Sequence, residues 1–362
     1  MNRFTRQLLP FATLILLVAV LAALKPNTFA TAENIFNVLS RSSVNGIIAM
    51  GMTAVIISGG IDLSVGSMMA LCGMIAGLIM TKNGEIVPTV GLMWLGTLAG
   101  IGMGLLCGLL NGGLITKLSL PPFIVTLGTM SAFRGVSYLM NKGMMFDVPT
   151  YKFLGQAVLP LWKTTEKMVA DADGTLKRQV LDILPPWSSP DIMSLGQGVQ
   201  IMPHGVPVNV VIFVLIVAAA FFILRYTPLG RYTYAIGSNR QAAYHAGVNV
   251  DRNLLAIYTL TGLFVGIAAM IATSRTVSAQ PTAGSSLELD IIAAVVIGGA
   301  SLSGGRGTVI GTIIGTLLIS FLRNGCTLLG ISTNIQLVVI GAIIIGAVAL
   351  DQMARAKAVE SR

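Results

Sequence analysis

Ten apolar runs, near 8–24, 44–58, 63–80, 90–110, 122–140, 208–224, 254–274, 289–300, 307–322 and 334–350, restrict what this chain can fold into. A helix needs roughly 20 apolar residues to cross a bilayer, with a range of about 17–25, and bonds all of its backbone polar groups internally. Most of the runs are long enough. Those at 44–58 and 289–300 are short and read as half-helices. Only 10% of the residues are charged and 54% are hydrophobic, whereas about a quarter of an average soluble domain is charged. The expectation is an all-α fold, one polytopic transmembrane domain over 1–362 with about ten membrane segments.

Both short runs lead into a glycine-rich break. The first reads Ser58-Gly-Gly-Ile-Asp-Leu-Ser-Val-Gly-Ser67 and the second Ile297-Gly-Gly-Ala-Ser-Leu-Ser-Gly-Gly-Arg306. Aligned without a gap, Gly59 falls on Gly298, Gly60 on Gly299, Leu63 on Leu302, Ser64 on Ser303, and Asp62 on Ser301. Lipid tolerates such backbone only where protein buries it or a watery cavity hydrates it. Paired Gly-interrupted segments in two parts of a chain point to a solute path. Rows of glycine at four-residue spacing, Gly104/Gly108/Gly112 and Gly307/Gly311/Gly315, read as close helix-packing seams.

Charge sets the orientation. Arg3, Arg6, Lys117, Arg225, Arg231, Arg240, Arg252, Arg306, Arg355, Lys357 and Arg362 fall on the side of the N-terminus. Lys25, Arg41, Lys82, Arg275 and Arg323 fall on the other. The excess places both termini in the cytoplasm, and the net charge of +9 is mainly an orientation signal, with attraction to anionic lipid headgroups beside it. The segment 141–207, with mixed charge and a Pro185-Pro186-Trp187 run, is then an external loop, and 225–253 a cytoplasmic one. Within the latter, Ser238 or Asn239 is a natural N-cap and Gly247 a C-terminal stop, so 238–247 reads as a short helix exposed to a partner protein.

Enzyme chemistry finds no support. Neither break ends in the Gly-Lys-Ser/Thr of a phosphate loop, and His204 and His245 fall in different loops. Cys72, Cys107 and Cys326 lack metal-ligand spacing and read as small hydrophobes, and no cofactor is expected. Charged groups at membrane depth are costly and mark function by default. Asp62 caps the helix starting at Leu63, lines a pathway, or does both; Arg134 snorkels outward; Glu288 and Asp290 mark the outer start of the eighth run. So few buried acids fit a neutral or polar solute better than an ion or proton carrier.

Four motifs carry a resemblance. Gly60-Ile-Asp-Leu-Ser-Val-Gly66, Pro122-Phe-Ile-Val-Thr-Leu-Gly128, Gly237-Ser-Asn-Arg-Gln-Ala-Ala243 with Ala246-Gly-Val-Asn-Val250, and Glu288-Leu-Asp290 through Ser303-Gly-Gly-Arg-Gly307 are similar to those of permeases in ribose/galactose/xylose-type ABC sugar importers. The segment 141–207 is longer than such permeases usually carry. The resemblance implies a bacterial inner-membrane subunit importing a monosaccharide or similar solute. Its partners would be a cytoplasmic ATPase, an extracytoplasmic sugar-binding protein and a second permease copy or paralogue, with no nucleic acid involved. It assigns the pathway to Asp62, Ser64, Pro122, Phe123, Thr126, Ser301 and Ser303, and the ATPase contact to Asn239, Arg240, Ala243 and Gly247. A secondary sugar carrier, a passive channel for polar solutes and a structural membrane scaffold are the rival readings.

Overall fold

The computed structural model describes residues 3–82, 85–86, 89–170, 176–184 and 199–360. Pro185-Pro186-Trp187 lies outside them. Among the described residues the helices are α1 (Arg3–Leu24), α2 (Pro26–Phe29), α3 (Ala32–Ile57), α4 (Val65–Met80), α5 (Val90–Lys117), α6 (Pro122–Met140), α7 (Val208–Tyr226), α8 (Pro228–Ser238), α9 (Arg240–His245), α10 (Val250–Thr276), α11 (Leu287–Ile297), α12 (Val309–Leu328) and α13 (Thr333–Glu360). Of these, α3, α5, α6, α7, α10 and α12 are long and apolar enough to cross a membrane, and α1, α4 and α13 carry shorter apolar stretches.

Two helices form the centre. Most of α3 and α10 is buried, and residues such as Ile47, Ile48, Met52, Tyr258 and Met270 are wholly enclosed. The expected short run at 44–58 is thus the second half of a 26-residue helix. Its polar first half stays helical because Thr31 caps it by accepting from the Asn34 N–H, and Ser42 and Ser43 return their hydroxyls to the carbonyls of Val38 and Ser40. Hydropathy hid it. The run at 289–300 is short as expected, an 11-residue α11.

Glycine sets the spacing of α5 against α10. A Cβ on Gly104 would meet Gly262 O and, at 2.8 Å, Gly266 Cα, and a Cβ on Gly262 would lie 2.8 Å from Gly108 Cα. Bare backbones therefore pack directly on one another, as expected where lipid supplies little drive for helices to associate. The row Gly311/Gly315 does the same for α12 against Gly298 and Ala294 at the end of α11.

Two departures from an all-helical chain stand out. The segment from Val277 to Ser286 leaves α10, pairs Ser278–Ala279 (β7) with Phe146–Asp147 (β3), and runs beside α4. Gly77 faces Ala279, and Gly66 faces Gly284. Those two points on α4 lie about 16 Å apart at a rise of about 1.5 Å per residue. A two-residue strand, a run of turns over 281–286 and the short α11 thus follow one another where other segments continue as one helix. Between α6 and α7 the chain forms a three-stranded antiparallel sheet in the order β5-β4-β6, from Val158–Ala170 (β4), Leu176–Leu184 (β5) and Val199–Pro207 (β6). The all-α expectation holds for the bundle and fails for this insert. A further two-stranded pair joins Thr81–Lys82 (β1) to Glu85–Ile86 (β2).

Replacing Gly262 by Val should lower the melting temperature in detergent, at a cost of about 1–3 kcal/mol for overpacking. Gly102→Ala, where nothing lies within 4 Å of an added Cβ, should leave it unchanged. Differential scanning fluorimetry of the two purified variants checks the contrast.

Candidate functional site: the glycine junction, the buried break and the cavity

The two breaks share one turn. At the end of α3, Gly59 N donates to Ile56 O and Gly60 N to Val55 O, both at 3.0 Å, with Gly59 at φ +85°. At the end of α11, Gly299 N donates to Val296 O at 2.8 Å and Ala300 N to Val295 O at 3.1 Å, with Gly299 at φ +90°. Both are Schellman stops, whose left-handed residue favours glycine. The geometry shifts the expected alignment by one residue: Gly59 matches Gly299, and Ile61 rather than Asp62 stands opposite Ser301. Beyond the turn the copies part, since α4 restarts after Ser64 and α12 only after Thr308.

Asp62 is wholly buried in the first break. Its Oδ1 accepts the Ser64 N–H at 2.9 Å and the Ser64 hydroxyl at 2.6 Å, while Asn111 Nδ2 donates to Ser64 Oγ at 2.8 Å. The helix begins at Val65 with Ser64 as N-cap, two residues later than expected, so Asp62 caps it from outside as an Asx turn. Thr126 Oγ1 donates to Ile61 O at 3.1 Å and pins α6 to the same break. Asp62 Oδ2, Asn111 Oδ1 and Tyr258 Oη, all enclosed, have no hydrogen-bond partner among the described residues.

The other candidates are dispersed. Pro122 opens α6 and is half-buried, whereas Phe123 is 51% exposed on the outer face of that helix. Ser301 is buried at the foot of the second break, its N–H bonded to Arg306 O at 3.0 Å, and Ser303 is exposed. Asp62, Ser64 and Thr126 come together; Phe123, Ser301 and Ser303 do not join them.

The second break folds onto the first through α8. Gly305 N donates to Ile57 O at 2.8 Å, and Gly237 packs against that same carbonyl. A Cβ on Gly304, at φ +83°, would lie 2.7 Å from Gly237 O and 3.0 Å from Gly59 Cα. Tyr234 OH donates to Gly307 O at 2.9 Å. Gly237 and Gly305 thus meet at the Ile57 carbonyl, and Gly304 packs against Gly237 and Gly59 beside it. Sequence reading took Thr227-Pro-Leu-Gly-Arg231 only as a stop; it starts the 11-residue α8, with Pro228 at its first position.

The short helix α9 extends from this junction. Asn239 is its N-cap, accepting from the Ala242 N–H at 3.0 Å. Gly247, at φ +82°, ends it, with Val248 N donating to Ala243 O at 3.1 Å. Ala243 is buried against Ile236, Val250 and Leu254, which fixes α9 to α8 and α10. Arg240 is exposed and lies 3.7 Å from the exposed Asp251. Tyr244, 69% exposed, was not singled out in the sequence, although its place on the same short helix was the available signal.

At the opposite end of α10 a cavity of about 500 Å³ opens between α3, α4, α10, the 277–286 segment, α11, α12 and α13. It is walled by Arg41, Asn45, Thr273, Arg275, Gln280, Asp290 and Arg323 together with apolar groups such as Met69 and Leu287. None of the expected pathway residues lines it. Asp290 does not merely mark a helix start: Arg323 Nη2 bonds its two oxygens at 2.8 and 2.7 Å. Nor does Arg134 reach outward. Its Nη1 donates to Pro281 O and Ala283 O, each at 2.7 Å, satisfying carbonyls of the turns between β7 and α11 that lack helical partners. Gly284, one of the residues lining the cavity, sets its carbonyl oxygen against Gly66, the second residue of α4, with the Glu288 carboxylate beside them.

A family model described as the branched-chain amino acid transport system / permease component matches residues 34–348. The ribose import permease protein of Escherichia coli (strain K12) is 37% identical over 338 residues, 93% of this chain and 91% of that protein. That of Bacillus subtilis (strain 168) is 40% identical over 344 residues, 95% and 92% of the two chains. The xylose transport system permease protein of Escherichia coli (strain K12) is 36% identical over 344 residues, 89% and 86%. No solved structure matched the chain.

Asp62→Ala removes the acceptor of two Ser64 donors and should destabilise the protein by about 1–3 kcal/mol, with Asp62→Asn, which keeps an acceptor oxygen, costing less. Gly237→Ala should be comparably damaging because a methyl there collides with the Ile57 carbonyl. Thermal unfolding of the three variants ranks them.

Proposed function

The chain belongs to the ABC-importer permease family shared by the ribose and xylose permeases, and from that premise we propose how it moves its solute. It is the transmembrane subunit of a sugar importer. The family model's description names amino acids, but the relatives matched over nearly their whole length are sugar permeases. ATP is hydrolysed on a separate cytoplasmic chain, and an extracytoplasmic binding protein delivers the sugar. A second permease copy or paralogue completes the assembly.

The observation that carries the mechanism is the glycine junction. Force applied to α9 passes through the buried Ala243 into α8, and from Gly237 directly to the Ile57 carbonyl and the Gly304–Gly305 turn. Both breaks therefore move with the helix that meets the ATPase. Asn239 and Gly247 shape that helix, Arg240 and Tyr244 face the partner, and Asp62, Ser64 and Thr126 hold the break through which the motion spreads.

The charge distribution supports placing α9 and both termini in the cytoplasm and the 141–207 insert outside. Ten crossings are consistent with this if the 277–286 segment and α11 together count as one. Sugar then enters the outer cavity, and parting of Gly66 from Gly284 opens the way past Asp62 and Ser64 toward the inner side. Pro122, Phe123, Ser301 and Ser303 border the exit.

Reconstitution in liposomes tests the reading. The permease with its ATPase and binding protein should take up sugar only with ATP inside the ATPase compartment, and the permease without its partners should not. Uptake by the isolated permease that collapses with ionophores would make it a secondary carrier instead. Tyr244→Ala should weaken ATPase association by about 2 kcal/mol, as loss of an aromatic anchor does. Arg240→Glu should slow association in a salt-dependent way. Surface plasmon resonance on wild-type and variant permease reads both.

A further inference from the structure

The turns that lead into α11 form one wall of the cavity, through Gln280, Ala283, Gly284, Ser285 and Ser286. They do not support themselves. Three successive bonds, Ala283 N to Gln280 O, Ser285 N to Thr282 O and Leu287 N to Gly284 O, at 3.1, 3.2 and 3.2 Å, occupy every second carbonyl. The two carbonyls between them, Pro281 O and Ala283 O, are taken by a single nitrogen, Nη1 of Arg134 on α6, at 2.7 Å each. Hydrogen bonds from a charged donor are roughly twice as strong as neutral ones. Gly284 at φ +67° and Ser286 at φ +62° stand in the left-handed region, which serine adopts only where its surroundings impose it. Arg134 is not among the described residues that line the cavity, so it holds this wall from behind.

The same helix grips the first break. Thr126 shares its hydroxyl proton between Pro122 O of its own helix, at 2.9 Å, and Ile61 O of the break, at 3.1 Å. Thr126 and Arg134 lie on one continuous helix, about 12 Å apart at a rise of about 1.5 Å per residue. Thus α6 is a strut with the first break clamped at one point and the cavity wall at another. We infer that Arg134 is a positioning residue for transport: through α6 it carries movement of the first break to the cavity wall, so that the chamber changes its hold on the solute in step with the break. The inference rests on the reading of the chain as an importer permease with the cavity as its solute chamber, and adds the connection between break and chamber. The packing of Gly66 against Gly284 also joins the two, but contact alone can only push. Hydrogen bonds resist separation, so the Arg134 clamp draws the wall back as well. Guanidinium suits the task because it stays charged at any physiological pH, which keeps the clamp engaged throughout.

The test is the number of sugar molecules taken up per ATP hydrolysed by the full complex of permease, ATPase and binding protein in liposomes. The sugar is whichever of D-ribose, D-xylose and D-galactose the wild-type complex takes up. Arg134→Gln should lower the ratio at least about fivefold, the lower end of coupling between sites, while ATP hydrolysis continues at the wild-type rate. Arg134→Lys, whose ammonium also offers a donor to each carbonyl, should keep most of the ratio. Thr126→Val, which removes the other clamp and keeps the shape, should lower it as well. The double variant should be no worse than the more damaging single one, because two clamps on one strut act in series. Uptake and hydrolysis that fall together in Arg134→Gln, with the ratio unchanged, would make the arginine a structural support only and overturn the inference. A wild-type ratio in Arg134→Gln, or losses that add in the double variant, would overturn it too. If the melting temperature shows that Arg134→Gln does not fold, Thr126→Val decides: a lowered ratio with hydrolysis intact upholds the inference, and a wild-type ratio overturns it. Failures confined to the variants leave the importer reading standing. A wild-type complex that takes up none of the three sugars with ATP would sink that reading, and this inference with it.

Discussion

One carbonyl organises the junction of α8 with both breaks. Ile57 O, at the end of the central helix α3, accepts the Gly305 N–H and is covered by Gly237. No side chain intervenes, so nothing in the contact can bend by changing rotamer. Side-chain contacts relax over several torsions, whereas a backbone contact passes on displacement almost undiminished. The same economy of size governs the α5–α10 seam and the α11–α12 hairpin, where glycines face carbonyls across the interface. A protein with 41 glycines in 362 residues is using them here as close-packing surfaces far more than as flexible points.

The polar groups at membrane depth work on the same plan. Asp62, Ser64 and Asn111 form a chain of hydrogen bonds at the start of α4, and Arg134 bonds to carbonyls of the turns that precede α11. Each serves backbone groups that a helix would have satisfied internally, which is the condition for irregular backbone in lipid. Their chemistry is thus the upkeep of the breaks, and the larger polar chamber is built elsewhere, from residues at the other end of α10.

Local signals were legible in the sequence, and distant ones were not. Asn239 and Gly247 identified α9 because capping depends on a few neighbouring residues, and the glycine rows identified seams because their four-residue spacing is a property of one helix. The half-helix α11 was legible from its length. The start of α3 was not, because hydroxyls bonded to their own helix make polar residues compatible with burial, which hydropathy does not register. The register between the two breaks was missed by one residue since the glycine pairs overlap in two ways, and only the sign of φ chooses. The cavity was invisible: Arg41, Arg275 and Arg323 sit on three helices, and their meeting is a fact of tertiary packing alone. The β-sheet insert, rich in charge and proline, resembled a loop because its alternation is weak.

The contact between Gly66 and Gly284 has a consequence for any change made there. Two residues without side chains bring the backbone of α4 against that of the 277–286 segment, and the Glu288 carboxylate reaches the same point. A side chain at either glycine would push peptide backbone and carboxylate together, so width and charge at this crossing cannot be altered one without the other.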